Sequence, residues 1–140
     1  MSEKIAISYV KDGKRENSHI EIWEYEEKKE RENEVRIDFI YYNSIITKYA
    51  DNYFEALIEL RKELENLGIQ LLCKGCCKTV YPSAMLSNMG SGKWAYMLSL
   101  GKQASKELLV DIFESCEESD YASIEEQNNY FVKWIKSLKG

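Results

Sequence analysis

Residues 4–10 (KIAISYV) set Ile5, Ile7 and Tyr9 on one side of the chain with small or polar residues between them. A period of two predicts a strand buried on one face. Lys11-Asp12-Gly13-Lys14 follows, and Asp-Gly supplies the positive φ angles that a tight hairpin requires. A second alternating run covers about 19–27 (HIEIWEYEE), with Ile20 and Ile22 set against Glu21, and Glu24 exposed. The tract Lys28-Lys29-Glu30-Arg31-Glu32-Asn33-Glu34 has no apolar residue and predicts a solvated hairpin tip. Residues 35–42 (VRIDFIYY) then return Val35, Ile37, Phe39 and Tyr41 to one face. The first part of the chain therefore reads as a three-stranded antiparallel meander.

The period changes after residue 51. Phe54, Leu57, Ile58, Leu64 and Leu67 recur at helical spacing, with Glu59, Arg61, Lys62, Glu63 and Glu65 expected in solvent. Asn52 and Glu55 form a capping box at the start of this helix, and Gly68 is its stop signal. Residues 69–73 (IQLLC) predict a short strand, and Lys74 to Gly92 a long connection. Residues 93–100 (KWAYMLSL) and 107–113 (ELLVDIF) predict two further strands. A second capping box, Ser123 with Glu126, opens a helix carrying Ile124, Phe131, Trp134, Ile135 and Leu138. The order β-β-β-α-β-β-β-α lacks regular βαβ alternation. It predicts an α+β fold: a largely antiparallel sheet of about six strands with two helices packed on it.

Composition narrows the class. A chain of 140 residues that is 44% hydrophobic, with one proline and seven glycines, suits a single folded domain over 1–140 and excludes collagen-like and low-complexity classes. No apolar run approaches the length of a membrane span, and Met-Ser-Glu-Lys has no secretory apolar region, so the expected location is the cytoplasm.

Charge is distributed in blocks. Residues 1–65 hold 11 bases and 16 acids, and residues 107–140 hold three lysines and eight acids. Between them, residues 66–106 hold Lys74, Lys78, Lys93, Lys102 and Lys106 and no acid. The middle segment is chemically distinct from the acidic arms around it.

Candidate chemistry is sparse. Cys73-x-x-Cys76 has the spacing of a zinc knuckle, and Cys73, Cys76 or Cys77, Cys116 and His19 would make a full ligand set. No second Cys-x-x-Cys or His-x-x-x-His pair accompanies it, and a thioredoxin-like βαβ context is missing, so structural thiols are the simpler reading and no cofactor is expected. Gly90-Ser91-Gly92-Lys93 fails as a phosphate loop, because position 87 is Ser and position 94 is Trp. Glycine-rich amides beside Lys93 leave only a looser anion site. His19 is the sole histidine, sits in an alternating strand, and has no local acid partner. No nucleophile elbow, His-Glu-x-x-His or paired-carboxylate motif is present, which argues against an enzyme.

Two binding readings remain. Lys74, Lys78 and Lys93, interleaved with Tyr81, Trp94 and Tyr96, suit phosphates and stacked bases, but the chain as a whole is acidic, with a pI near 5.1. The acidic clusters point to a basic protein partner instead. Glu114, Glu117, Glu118 and Asp120 crowd one connection, and Glu21, Glu24, Glu26 and Glu27 crowd one strand. Such clusters steer association and select against wrong partners. Tyr81 and Trp94 are candidate aromatic anchors, since binding energy concentrates on such residues.

The segments IQLLCKG (69–75), VYPSAM (80–85), MGSGKWAYMLSLGK (89–102) and LVDIF (109–113) resemble small bacterial proteins encoded beside secreted polymorphic toxins. In particular they resemble contact-dependent growth-inhibition immunity proteins. The resemblance covers roughly residues 54–113. It implies stoichiometric neutralisation of a cognate toxin domain in the cytoplasm. Such toxins are often nucleases, whose basic clefts an acidic inhibitor fills with carboxylates in place of phosphates. The lysines of the 74–93 loop depart from that simple picture.

Overall fold

The computed structural model describes residues 2–24, 34–87 and 90–139. The tip expected at Lys28–Glu34 lies, except for Glu34, outside the described residues, as do Glu26, Glu27 and Met89. The class is α+β and every strand pairing is antiparallel.

β1 (Ser2–Lys11) and β2 (Lys14–Trp23) form the expected hairpin, closed by Asp12 at φ +52° and Gly13 at φ +76°. β3 (Val35–Tyr41) pairs with β2, setting Phe39 opposite Ile20 and Ile37 opposite Ile22. β4 (Ser44–Ala50) then pairs with β3, and α1 (Tyr53–Asn66) and β5 (Ile69–Leu72) follow. The resulting five-stranded sheet has the order β4-β3-β2-β1-β5. Its inner face, with Ile7, Tyr9, Ile20, Ile22, Val35, Ile37 and Phe39, packs against Phe54, Leu57, Leu60 and Leu64 of α1. The alternation seen in the sequence is thus the burial pattern of the core.

The second half builds a separate, smaller sheet. β6 (Val80–Tyr81), β7 (Trp94–Met97) and β8 (Leu109–Asp111) pair in that order, with the single-turn helix α2 (Ala84–Ser87) between β6 and β7. α3 (Ile124–Ser137) closes the chain and meets α1 and β6. The expected single sheet of about six strands is therefore corrected, among the described residues, to eight strands in two sheets, and the two expected helices to three. β4 and β6 are the additional strands. The predicted strands at 93–100 and 107–113 are shorter, confined to Trp94–Met97 and Leu109–Asp111.

Both helix starts are capped by the expected side chains, and the second carries the full reciprocal box. Asn52 Oδ1 accepts the Glu55 N–H at 2.9 Å, and Ser123 and Glu126 exchange both bonds of a capping box. Gly68, at φ +73°, follows the end of α1. Arg61 is a correction: expected in solvent, it is 1% exposed. Its guanidinium crosses to the second half of the chain, where Gly75, Ala122 and Gln127 receive it. Among the described residues no helix is long and apolar enough to cross a membrane.

Candidate functional site

The acidic candidates at 114–120, Lys74, Lys78 and the four cysteines lie along a seam between two segments of the chain. Residues 73–78 run beside residues 112–122, joined by isolated bridges between Cys73 and Ser115 and between Cys77 and Tyr121. Gly75 N–H donates to the Ile112 carbonyl at 2.8 Å, and Ala122 N–H to the Cys76 carbonyl at 3.0 Å. Gln127 of α3, 1% exposed, donates through Nε2 to the carbonyls of Gly75, Cys77 and Val80 at 2.9 Å each. Its Oε1 accepts from Arg61 Nη1 at 2.7 Å. The N–H groups of this irregular connection find backbone acceptors, and two helices satisfy its carbonyls at Gly75, Cys77 and Val80.

Glu114, Glu117, Glu118 and Asp120 are all exposed on the outer strand of this seam. None is in an ion pair with another described residue. Glu118 shares an open groove of about 440 Å³ with Glu65 of α1 and Glu126 of α3, floored by Ile69 and Tyr121. Glu65 and Glu126 were not candidates from the sequence, since 53 and 8 positions separate them from Glu118 along the chain. Hydrogen bonds from Ser123, chiefly its backbone N–H, hold the Glu126 carboxyl below its usual range, so it stays charged into mild acid. A second acidic groove, with Asp51, Glu55 and Glu59, lies at the other end of α1.

The basic candidates divide. Lys74 and Lys78 lie on the inner strand of the seam, where their N–H groups donate to the carbonyls of Glu114 and Asp120 at 2.7 and 3.1 Å. Positive and negative candidates are therefore neighbours. Lys78 Nζ also sits 5.7 Å from the Tyr130 ring centroid. Lys93 is elsewhere, with Nζ 3.5 Å from Glu3 and 3.4 Å from Asp111. Burial alone would lower its pKa, but these two carboxylates outweigh that and raise it. Its charge is already matched within the fold.

The aromatic candidates differ in availability. Tyr81 is half-buried: its ring stacks on Phe131 at 3.9 Å, meets Phe54 edge-on at 5.2 Å, and its hydroxyl donates to Asn128 at 3.3 Å. Trp94 remains 43% exposed. Tyr81 pairs with Tyr96 across the small sheet, and Trp94 lies two residues from Tyr96, so all three project from one side of it.

Cys73, Cys76, Cys77 and Cys116 are buried free thiols at the seam. His19 is on β2 opposite Ala6, with β1 between it and the strand that precedes Cys73. Among the described residues no three His, Cys, Asp or Glu side chains are placed to hold a metal ion. No protein-family model and no curated protein matches this chain.

Proposed function

We propose that this chain is an immunity-type binding protein, located in the cytoplasm, that neutralises a cognate bacterial toxin by occluding its active site. The toxin class that fits is a nuclease with a basic substrate cleft, and the protein acts without transforming a substrate. The observation that supports this reading is the projecting group Glu114, Glu117, Glu118 and Asp120, unpaired by any described residue and continuous with Glu65 and Glu126. Exposed acids that form no ion pair repel one another, and the fold gains nothing from holding them together; a basic partner does. Trp94 and Tyr81 remain the aromatic anchors of this reading.

The reading that assigns Lys74, Lys78 and Lys93 to nucleic acid or another anion is weaker, since carboxylates flank Lys93 and exposed acids neighbour the other two. Its mark would be single-stranded DNA binding that falls steeply with salt.

The direct test mixes this protein with the toxin domain encoded beside it. A stoichiometric complex on size-exclusion chromatography and restored growth of toxin-expressing cells are expected, and absence of a complex rejects the proposal. Within such a complex, the triple variant E117K/E118K/D120K should associate about tenfold or more slowly at low ionic strength. The two association rates should converge in high salt, as stopped-flow fluorescence would show.

A further inference from the structure

The neutralising reading leaves four sulfurs without a role, and they are the chain's whole complement of cysteine. Cys73 follows β5, Cys76 ends the 3-10 turn Lys74–Cys76, Cys77 comes next, and Cys116 approaches from the opposite strand of the seam. They are arranged as two pairs. Cys73 Sγ lies 3.7 Å from Cys76 Sγ, while the Cys77 thiol, which donates to the Cys73 carbonyl at 3.8 Å, also interacts with the thiol of Cys116.

A positive charge stands beside them. The Arg61 guanidinium is buried, and its three hydrogen-bond acceptors, the carbonyls of Gly75 and Ala122 and Oε1 of Gln127, are all neutral. Its Nε has no partner, and no carboxylate among the described residues forms an ion pair with it. A guanidinium does not shed its proton on burial, so the fold favours an anion nearby. The groups within its field that can supply one include the Cys76 thiol.

We infer that the pairs Cys73–Cys76 and Cys77–Cys116 form a site of two-electron oxidation by peroxide, each pair closing to a disulfide. The charges favour Cys76 and Cys77 as the attacking sulfurs. Burial alone raises the Cys76 thiol, but the hydrogen bond with Cys73 and the Arg61 charge outweigh it and bring its pKa below the ordinary value. The hydrogen bond with Cys116 does the same for Cys77 against burial. The same interactions, with burial, push Cys73 and Cys116 up, so each pair joins a more acidic thiol to a less acidic one.

In the reaction a thiolate attacks one oxygen of hydrogen peroxide and cleaves the O–O bond. This gives a sulfenic acid and hydroxide, which takes a proton to become water. The partner thiol gives up its proton, its sulfur attacks the sulfenic sulfur, and a second water leaves. Two thiol hydrogens and two electrons thus reduce one peroxide to two waters per disulfide. For the first pair the sulfurs need only close from 3.7 Å to about 2.05 Å. Entry comes from the Cys77–Cys116 side, where exposures are 4% and 6%, against 0% at Cys73 and Cys76.

The test treats the reduced, folded protein with hydrogen peroxide in chelated buffer, then alkylates under denaturing conditions and measures intact mass. Two alkylatable thiols should be lost first and all four later, with a mass loss of about 2 Da per bridge before alkylation. The variant C73S/C76S should retain the fast phase, and C77S/C116S only the slow one. The fast phase should accelerate with pH through a midpoint below that of an ordinary thiol, about 8.5. Four thiols persisting while glutathione in the same tube oxidises would overturn the inference. Predominantly intermolecular bridges, a Cys73–Cys116 bridge, or one zinc ion retained per chain by the untreated protein would also overturn it.

Discussion

Replacing Arg61 with alanine is expected to cost about 3–5 kcal/mol of folding stability, a large share of the 5–15 kcal/mol that a domain of this kind possesses. The side chain is 1% exposed and donates to the Gly75 carbonyl, the Ala122 carbonyl and Gln127 Oε1. Alanine takes the donor from the Ala122 carbonyl and Gln127 Oε1 inside the protein, at about 1–3 kcal/mol for each group left unsatisfied, while the Gly75 carbonyl keeps its bond from Gln127. It also opens a void between α1 and the Gly75 turn, where neighbours collapse only in part. Working the other way, the variant removes a buried charge that has no carboxylate partner among the described residues, a relief that makes the loss smaller than a simple sum. Urea unfolding followed by circular dichroism should show a lowered midpoint with an unchanged slope. A loss below about 1 kcal/mol would mean that charge burial cancels the hydrogen bonds and that Arg61 does not hold the two halves together.

The second large effect is expected at Gly92. It has φ +78°, and a Cβ built there would lie 2.6 Å from Asn52 Cβ, 3.0 Å from its Cγ and 3.1 Å from its Oδ1. Alanine therefore meets both a backbone penalty and a collision with the residue that caps α1. Together these should cost about 2–4 kcal/mol, part of it the Asn52–Glu55 cap itself. Gly68→Ala separates the two contributions, since Gly68 has φ +73° but nothing within 4 Å of its built Cβ. G68A should lose about 1 kcal/mol, and the difference between the variants measures the collision alone. Equal losses would show that Asn52 moves aside freely.

That role explains why the Gly-Ser-Gly-Lys motif fails as a phosphate loop. Its glycine lets the chain pass close to the start of a helix, and its lysine pairs with Glu3 and Asp111. From sequence the motif has one meaning, as a loop that carries ligands. In the fold it is a packing contact with residue 52, which no local spacing announces.

Elements with a strong period were legible. Ile20, Ile22, Val35, Ile37 and Phe39 alternate because one face of their sheet lies under α1, and the Ser123–Glu126 box is local chemistry that survives any tertiary context. β4 was not legible. Its hairpin turns at Tyr42–Asn43, and Tyr42 takes φ +53°, a conformation that glycine or asparagine would have advertised and tyrosine conceals. β6 has two residues, too few to show a period. Arg61 was misread for a different reason. Its spacing matches the solvent face of an amphipathic helix, but α1 is covered on a second side by residues that arrive only after position 74.

The same long-range folding decided the candidate site. The four carboxylates at 114–120 were found as a cluster because they are close in sequence. Glu65 and Glu126 join Glu118 only through the docking of α3 on α1, where Ile124 N–H donates to Glu65 Oε2 at 2.8 Å. Cys77 and Cys116 likewise meet only because residues 73–78 lie along residues 112–122.

That seam also gives this edge of the molecule a dipolar character. Lys74 and Lys78 follow one line of the chain, and Glu114 and Asp120 follow the line bonded to it. Opposite charges carried on two hydrogen-bonded lines of chain partly offset each other at long range, yet leave a local field close to the surface. A macromolecule drawn in by the net negative charge would feel this edge only at near approach, and there as a torque more than a pull. The rows would then govern the angle of docking, leaving the speed of encounter to the wider acidic surface.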